Sequence, residues 1–250
     1  MSTEPATRAD ICVVACAEAF RGDGEILASP MGTIPRLGAR LAKRTFEPDL
    51  VMSDGEAYLV DDPGSAEPVI EGWLPYRHIF GFVWHGKRHV LMGATQIDRY
   101  GNQNISCIGD FNKPKVQLLG VRGAPGNTIN HPTSYWVPRQ SARVLVERVD
   151  VVSGVGYDRA LAMGPKAARF HEIRVVITDL AVMDFDTPEK TMRLRSVHRG
   201  ANLADVIAKT GFPLVVPEFV PETRMPTAEE LRLIREDLDP DGTRHQEVPA

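Results

Sequence analysis

Cysteine is scarce in this 250-residue chain: only Cys12, Cys16 and Cys107 occur. An odd and sparse set excludes a disulfide framework and fits reduced thiols in the cytosol. Cys12 and Cys16 are spaced to share a helix face, but no second ligand pair matches them, so no metal site is expected. His85 and His89 have the same spacing, yet they straddle the turn His85-Gly86-Lys87, and one helix cannot present both to a metal. No run approaches the roughly 18 apolar residues of a membrane span. Met1 to Asp10 is polar and lacks a signal-peptide core, so the chain is expected in the cytoplasm. Neither sign of charge dominates: the net charge is −4 with the signs interspersed, which argues against nucleic acid or an anionic membrane as partner. Neither a dinucleotide-binding nor a P-loop signature is present, and the glycines at Gly154 and Gly156 form neither.

What is there is ordinary for a globular α/β chain. Apolar residues make up 43% and charged residues 25%, enough for a sizeable core. Thr7 to Phe20 predicts a helix, with Thr7 as cap and Asp10 completing a weak capping box. "EILAS" predicts a strand, "IPRLGARLAKR" a helix with Pro35 in its first turn, and "PDLVMSDG" a second strand. That order implies a parallel sheet. Residues 61–76 read as a surface loop, and "YRHIFGFVW" as a short amphipathic helix closed by a turn. "RHVLMGATQID", "KVQLLG", "ARVLVERVD", "EIRVVITDLAVMDF" and "MRLRSVHRG" read as strands, the second of them buried, with "RYGNQNIS" a polar loop. "NLADVIAKTG" is a helix capped by Asn202 and stopped by Gly211; "TAEELRLIRED" is a last one capped by Thr227. With no repeat and no linker, residues 1–250 are expected to form a single domain whose tail frays from about residue 239.

Leu50-Val51-Met52 reads as a buried strand that runs into Ser53-Asp54-Gly55-Glu56. A carboxylate at the end of a parallel strand lies where α/β enzymes bind ligands. An Asp-Gly pair is equally a common turn dipeptide, and the residues alone leave both readings open.

Four stretches, in their order and spacing, resemble the β subunits of class I coenzyme A transferases across nearly the whole chain. They are "GATQIDRYGNQNIS" (93–106), "LLGVRGAPGN" (118–127), "VVITDLAVMDF" (175–185) and "HRGANLADVIAKTGFPL" (198–214). The likeness is greater to one branch, whose members hydrolyse a carbon–carbon bond in a cyclic β-keto acyl-CoA to open the last ring of a degraded steroid. The resemblance implies a CoA-transferase-like open α/β sandwich, with a mainly parallel central sheet and helices on both sides. It implies an obligatory α subunit of similar fold, an α2β2 heterotetramer, and an active site between subunits. The catalytic base would be a glutamate of the α subunit. Coenzyme A would enter as part of the acyl-CoA substrate, with no separate cofactor.

In the transferases a glutamate follows a buried strand, as serine-glutamate-asparagine-glycine, and carries the acyl group covalently. Here that strand ends in Ser53-Asp54-Gly55. Aspartate is shorter by about 1.5 Å, and misplacement of that order costs about a hundredfold in rate. Glu56 has the length but lies beyond the glycine. Asp54 is therefore expected to line the cleft in a supporting role, with Ser53 and Glu56 beside it. The resemblance places an oxyanion hole at Gly120, Gly123 and Ala124, because only small residues let backbone N–H groups approach a charged oxygen. Arg122 would pair with a CoA phosphate or a substrate carboxylate. Gln96, Asp98, Asn102 and Asn104 would orient polar groups, or satisfy loop backbone. Asn130 and His131, held extended before Pro132, would belong to a substrate-specific loop. His131 would be either a general acid near pH 7 or a surface histidine.

Three functions follow from these residues. Hydrolytic ring opening needs a base and an oxyanion hole but no covalent carboxylate, and it fits a chain that keeps the turn and alters the nucleophile. Coenzyme A transfer through Asp54 or Glu56 is the second. A non-catalytic subunit that completes its partner's cleft is the third.

Overall fold

Thr7 starts the first helix as its neighbours dictate. Its hydroxyl accepts the Asp10 N–H at 3.3 Å while the Asp10 carboxylate accepts the Thr7 N–H at 2.9 Å, closing a capping box. The computed structural model describes residues 5–55, 57–62, 64 and 67–249, so Glu56 lies outside the described residues. In chain order the first elements are α1 (Arg8–Glu18), β1 (Leu27–Pro30), α2 (Thr33–Thr45), β2 (Val51–Ser53), β3 (Tyr58–Asp61) and β4 (Val69–Trp73). Next come α3 (Tyr76–His85), β5 (Arg88–Gly93), β6 (Gln96–Ile97), β7 (Gln103–Asn104), β8 (Cys107–Asp110), β9 (Lys113–Gln117), α4 (Ala124–Asn130) and β10 (Pro132–Val137). The chain ends with α5 (Tyr157–Ala162), α6 (Pro165–Ala168), β11 (Glu172–Thr178), β12 (Ala181–Asp184), β13 (Arg193–Val197), α7 (Leu203–Ala208), α8 (Ala228–Arg232) and α9 (Arg244–Glu247).

Among the described residues, nine strands form one mixed sheet in the order β13-β12-β11-β10-β5-β1-β2-β3-β4. The run from β11 to β2 is parallel, and the outer strands turn back antiparallel on each edge. Period-two alternation sends Leu91 and Trp136 to one face, where α1, α2 and the π-helical segment Leu233–Leu238 that continues α8 cover them. Val90, Met92, Tyr135 and Val137 go to the other face and pack with Ala124 of α4 and Val206 of α7. Helix α1 is buried nearly all round because it sits between the sheet and α2. At Gly38 the helices touch: a Cβ there would lie 2.6 Å from the Cys16 Cβ, so only glycine admits this approach.

Several sequence expectations need correction. Residues 61–76 are not a loop throughout: β3 and β4 extend the sheet beyond β2. "KVQLLG" is not a buried strand, because among the described residues β9 pairs with β8 alone, in a solvated two-stranded ribbon with Lys115 and Val116 exposed. "ARVLVERVD" is irregular; its apolar pattern serves Leu145, which is buried and bridges Ile97. "NTIN" belongs to α4, and Pro132 opens the central strand β10 at the one position where a missing N–H is tolerated. The tail from residue 239 is held, not frayed. Arg244 is buried and pairs with Asp10 at 2.8 Å and Asp239 at 2.7 Å. Glu247 of α9 accepts the N–H groups of Thr33 (2.6 Å) and Ile34 (3.3 Å) at the start of α2, and the indole N–H of Trp136 (2.8 Å).

Candidate active site

The parallel strands β1, β2 and β5 end side by side, and a cleft of about 480 Å³ opens there. Met31, Gly32 and Arg36 follow β1 into its wall, Asp54 and Gly55 follow β2, and Met92 to Thr95 close β5. Leu119 and Arg122 come from the glycine-rich turn, and Ile105 from the loop before β8. Arg88 and Asn127 form the polar floor. This is the position at which open α/β sheets bind ligands, because the strand ends leave a crevice that loops can furnish.

Asp54 lines the cleft, and its carboxylate is partly engaged. Oδ1 accepts the N–H groups of Ala57 at 2.8 Å and Tyr58 at 3.0 Å, which ties down the β2–β3 turn. Ser53 is buried beneath it. Its hydroxyl accepts the Gly55 N–H at 3.2 Å and lies 3.1 Å from the Ser29 hydroxyl.

The glycine-rich turn reaches the cleft through Leu119 and Arg122, while Gly120 and Gly123 stand beside them and do not line it. Gly120 and Gly123 adopt φ of 87° and 83°, the left-handed region glycine tolerates. Arg122 between them has φ 45°, a costly conformation for a side chain with a Cβ, and its exposed guanidinium lines the cleft. Ala124 departs from expectation: its N–H donates to the Val121 carbonyl at 2.8 Å, so it is not available to an oxyanion.

The other predicted residues do not converge on the cleft. Gln96 and Asn104 hydrogen-bond each other at 2.7 Å, and Gln96 also holds Asp150. Asp98 accepts from Tyr100 and Asn102, while Asn102 reaches Asp158 and Gly156. Burial holds the Asp98 carboxyl above its ordinary range, against the pull of those hydrogen bonds. These four residues satisfy a buried loop. The cleft is lined instead by their neighbours Gly93 to Thr95 and Ile105. Asn130 and His131 lie at the opposite end of the sheet, on a second cavity of about 750 Å³. His131 is buried and not a surface histidine, and it lies away from the cleft that Asp54 lines.

Sequence reasoning missed Arg36, Arg88, Thr95 and Asn127. Arg36, Thr95 and Asn127 sit next to strand ends or the glycine turn, so the strand-end rule was the available signal. Arg88 gave none, because it begins β5 and reaches the cleft only through its side-chain length. His89, weighed from sequence only as a metal ligand, touches Asp23 at 2.6 Å and Ser134 at 2.9 Å, a relay of the nucleophile-activating kind. All three are buried away from the cleft, and burial pulls the imidazole below its ordinary pKa. The trio is a core polar network, closed by Arg174 on Asp23 at 2.8 Å. Among the described residues, no group of three His, Cys, Asp or Glu could hold a metal ion, and no helix is long and apolar enough to cross a membrane.

The family description of the coenzyme A transferases matches residues 82–209, the stretch that holds β5, the glycine-rich turn and β10 to β13. The chain belongs to that family. It is similar to the cholesterol ring-cleaving hydrolase IpdB subunit of Rhodococcus jostii strain RHA1, with 52% identity over 97% of this chain and 96% of the relative. The Mycobacterium tuberculosis H37Rv protein of the same name is 49% identical over 97% of this chain and 98% of its own length. The crystal structure of Rhodococcus jostii RHA1 IpdAB superposes with a TM-score of 0.92 at 51% identity, covering 98% of this chain and 99% of that one.

Proposed function

We propose that this chain is the β subunit of a heteromeric hydrolase that opens the last steroid ring of a cyclic β-keto acyl-CoA by retro-Claisen cleavage, in cholesterol and steroid degradation. The observation that carries the reading is 52% identity, across nearly the whole chain, to a ring-cleaving hydrolase subunit. The cleft supports it. Its Asp54 is one methylene shorter than the transferases' glutamate and gives Oδ1 to the turn, while the glycine-rich loop remains.

The chemistry needs a base to make hydroxide, a site for the thioester oxygen, and exclusion of bulk water. An α subunit of similar fold would supply the base, as a glutamate, and would close the cleft. The N–H groups of Gly120 and Gly123 would hold the thioester oxygen as the enolate forms. Arg36 and Arg122 at the mouth suit the phosphates of coenzyme A. We assign an α2β2 assembly in the cytoplasm, where the three buried free cysteines stay reduced.

Asp54 in the cleft wall keeps coenzyme A transfer as a second reading. Co-expression with the α subunit, then assay on a cyclic β-keto acyl-CoA with and without an acceptor acid, separates the two. Ring opening without acceptor is the expected result. Acceptor-dependent exchange, with hydroxylamine trapping on Asp54 or Glu56, would overturn it. Full activity of the α chain alone would leave this chain a structural role.

A further inference from the structure

Arg88 is 2% exposed, yet it lines the cleft. Its Nε donates to the Ser29 hydroxyl at 2.9 Å and its Nη1 to Asn127 Oδ1 at 3.0 Å. Ser29 is in turn 3.1 Å from Ser53. The guanidinium is thus held directly by β1 and α4, and Ser53 of β2 braces Ser29 behind it. Around it the wall is largely apolar, with Met31, Met92, Ile105 and Leu119. A guanidinium stays charged even when buried, and in such surroundings its field on a reacting atom is far stronger than in water. Arg36 and Arg122 are solvent-exposed and screened.

We infer that Arg88 is a catalytic residue of the ring opening, whose guanidinium holds the oxygen of the attacked ring ketone as that oxygen gains charge. The inference rests on the ring-opening reading above. Hydroxide forms a bond to the ketone carbon, and the carbonyl π pair moves to oxygen. Arg88 stabilises that alkoxide. The alkoxide collapses to a carboxylic acid and the ring carbon–carbon bond breaks. Its electron pair passes to the carbon beside the thioester, as an enolate that takes the proton the base removed from water. Water is the only co-reactant. A β-keto thioester develops charge on two oxygens in turn. The glycine turn serves the thioester oxygen, and Arg88 serves the ketone oxygen, which ends as part of the new carboxylate.

The test uses the assembled α/β complex and a cyclic β-keto acyl-CoA. Arg88→Gln should lower kcat by about a hundredfold or more, with KM within about threefold of wild type, the pattern of a group that acts on the transition state. Arg88→Lys should recover part of the rate, and the ring-opened product should inhibit the Gln variant less than wild type. If Arg88→Gln fails to assemble, Ser29→Ala and Asn127→Ala loosen the same guanidinium, and each should lower kcat with KM retained. Unchanged kcat in Arg88→Gln, or in both loosening variants, overturns the role, as does a rise in KM alone. A wild-type complex that leaves the ring closed overturns the ring-opening reading itself. A wild type that opens it alongside an equally fast Arg88→Gln overturns only the assignment of Arg88.

Discussion

Asp54 Oδ1 accepts the Ala57 N–H at 2.8 Å, so the strand-end carboxylate closes the β2–β3 turn while it faces the cleft. Asp54→Ala should therefore cost stability, about 1 kcal/mol for a half-exposed hydrogen-bond acceptor, and leave ring opening measurable. Asp54→Asn keeps an Oδ1 acceptor and should lie within about 0.5 kcal/mol of wild type. Urea unfolding and steady-state rates on the complex check both. A fully folded but inactive Asp54→Ala complex would return the carboxylate to the centre of the mechanism.

Gly123 has φ 83° at the start of α4, and a Cβ added there would meet nothing nearer than the Phe80 ring, 4.0 Å away. Space is not the obstacle; handedness is. Gly123→Ala should cost about 1–2 kcal/mol, and Gly123→Val should abolish ring opening by shifting the turn. Thermal unfolding and kcat report the two effects separately. A Val variant of wild-type activity would remove the turn from the mechanism.

Glu247 accepts from Thr33, Ile34 and Trp136. It caps the N-terminus of α2 beside Gly32 in the cleft wall, so that helix end is already matched by a carboxylate of the chain itself. Glu247→Ala strands the buried Trp136 N–H and should cost about 2–4 kcal/mol. Truncation before Arg244 should cost more, because Asp10 and Asp239 then lose their buried partner. Differential scanning calorimetry checks both. An unchanged midpoint would mean that the tail does not hold α2.

His198 is 1% exposed, accepts or donates to Thr223 at 2.8 Å, and meets the Thr178 carbonyl at 2.9 Å. Burial pulls its pKa down to about 4. The unfolded chain protonates near its ordinary value of about 6.5, so it binds more protons than the fold between those values. Stability from this residue is full above about pH 6.5 and falls by roughly 3 kcal/mol as pH drops toward 4. Denaturation curves of wild type and His198→Gln from pH 7 to pH 4 should converge at the acid end. A constant gap would sink the assignment.

The capping residues Thr7, Asn202 and Thr227 were legible from sequence because each acts on N–H groups within a few residues of itself. "EIRVVITDLAVMDF" was legible as strand, and the structure divides it into the antiparallel pair β11 and β12. "KVQLLG" was misread because its apolar residues faced no sheet, and the tail because its partners Asp10, Thr33 and Trp136 are distant in sequence. Gln96, Asp98, Asn102 and Asn104 matched a family segment, yet composition could not separate residues that meet a ligand from residues that satisfy the loop presenting one.

By itself the sequence determined the parallel β1-α2-β2 start, the helix caps, the glycine-rich turn and the family, since these depend on short-range geometry and on motif order. The tertiary structure decided which polar groups share the cleft. It brought Arg88 from the start of β5 beneath Asn127 and Ser29, turned Asp54 Oδ1 toward its own hairpin, and carried His131 to the far end of the sheet. The physical reason is that burial and hydrogen-bond demand act through space: a buried guanidinium or carboxylate must find partners wherever the fold places them.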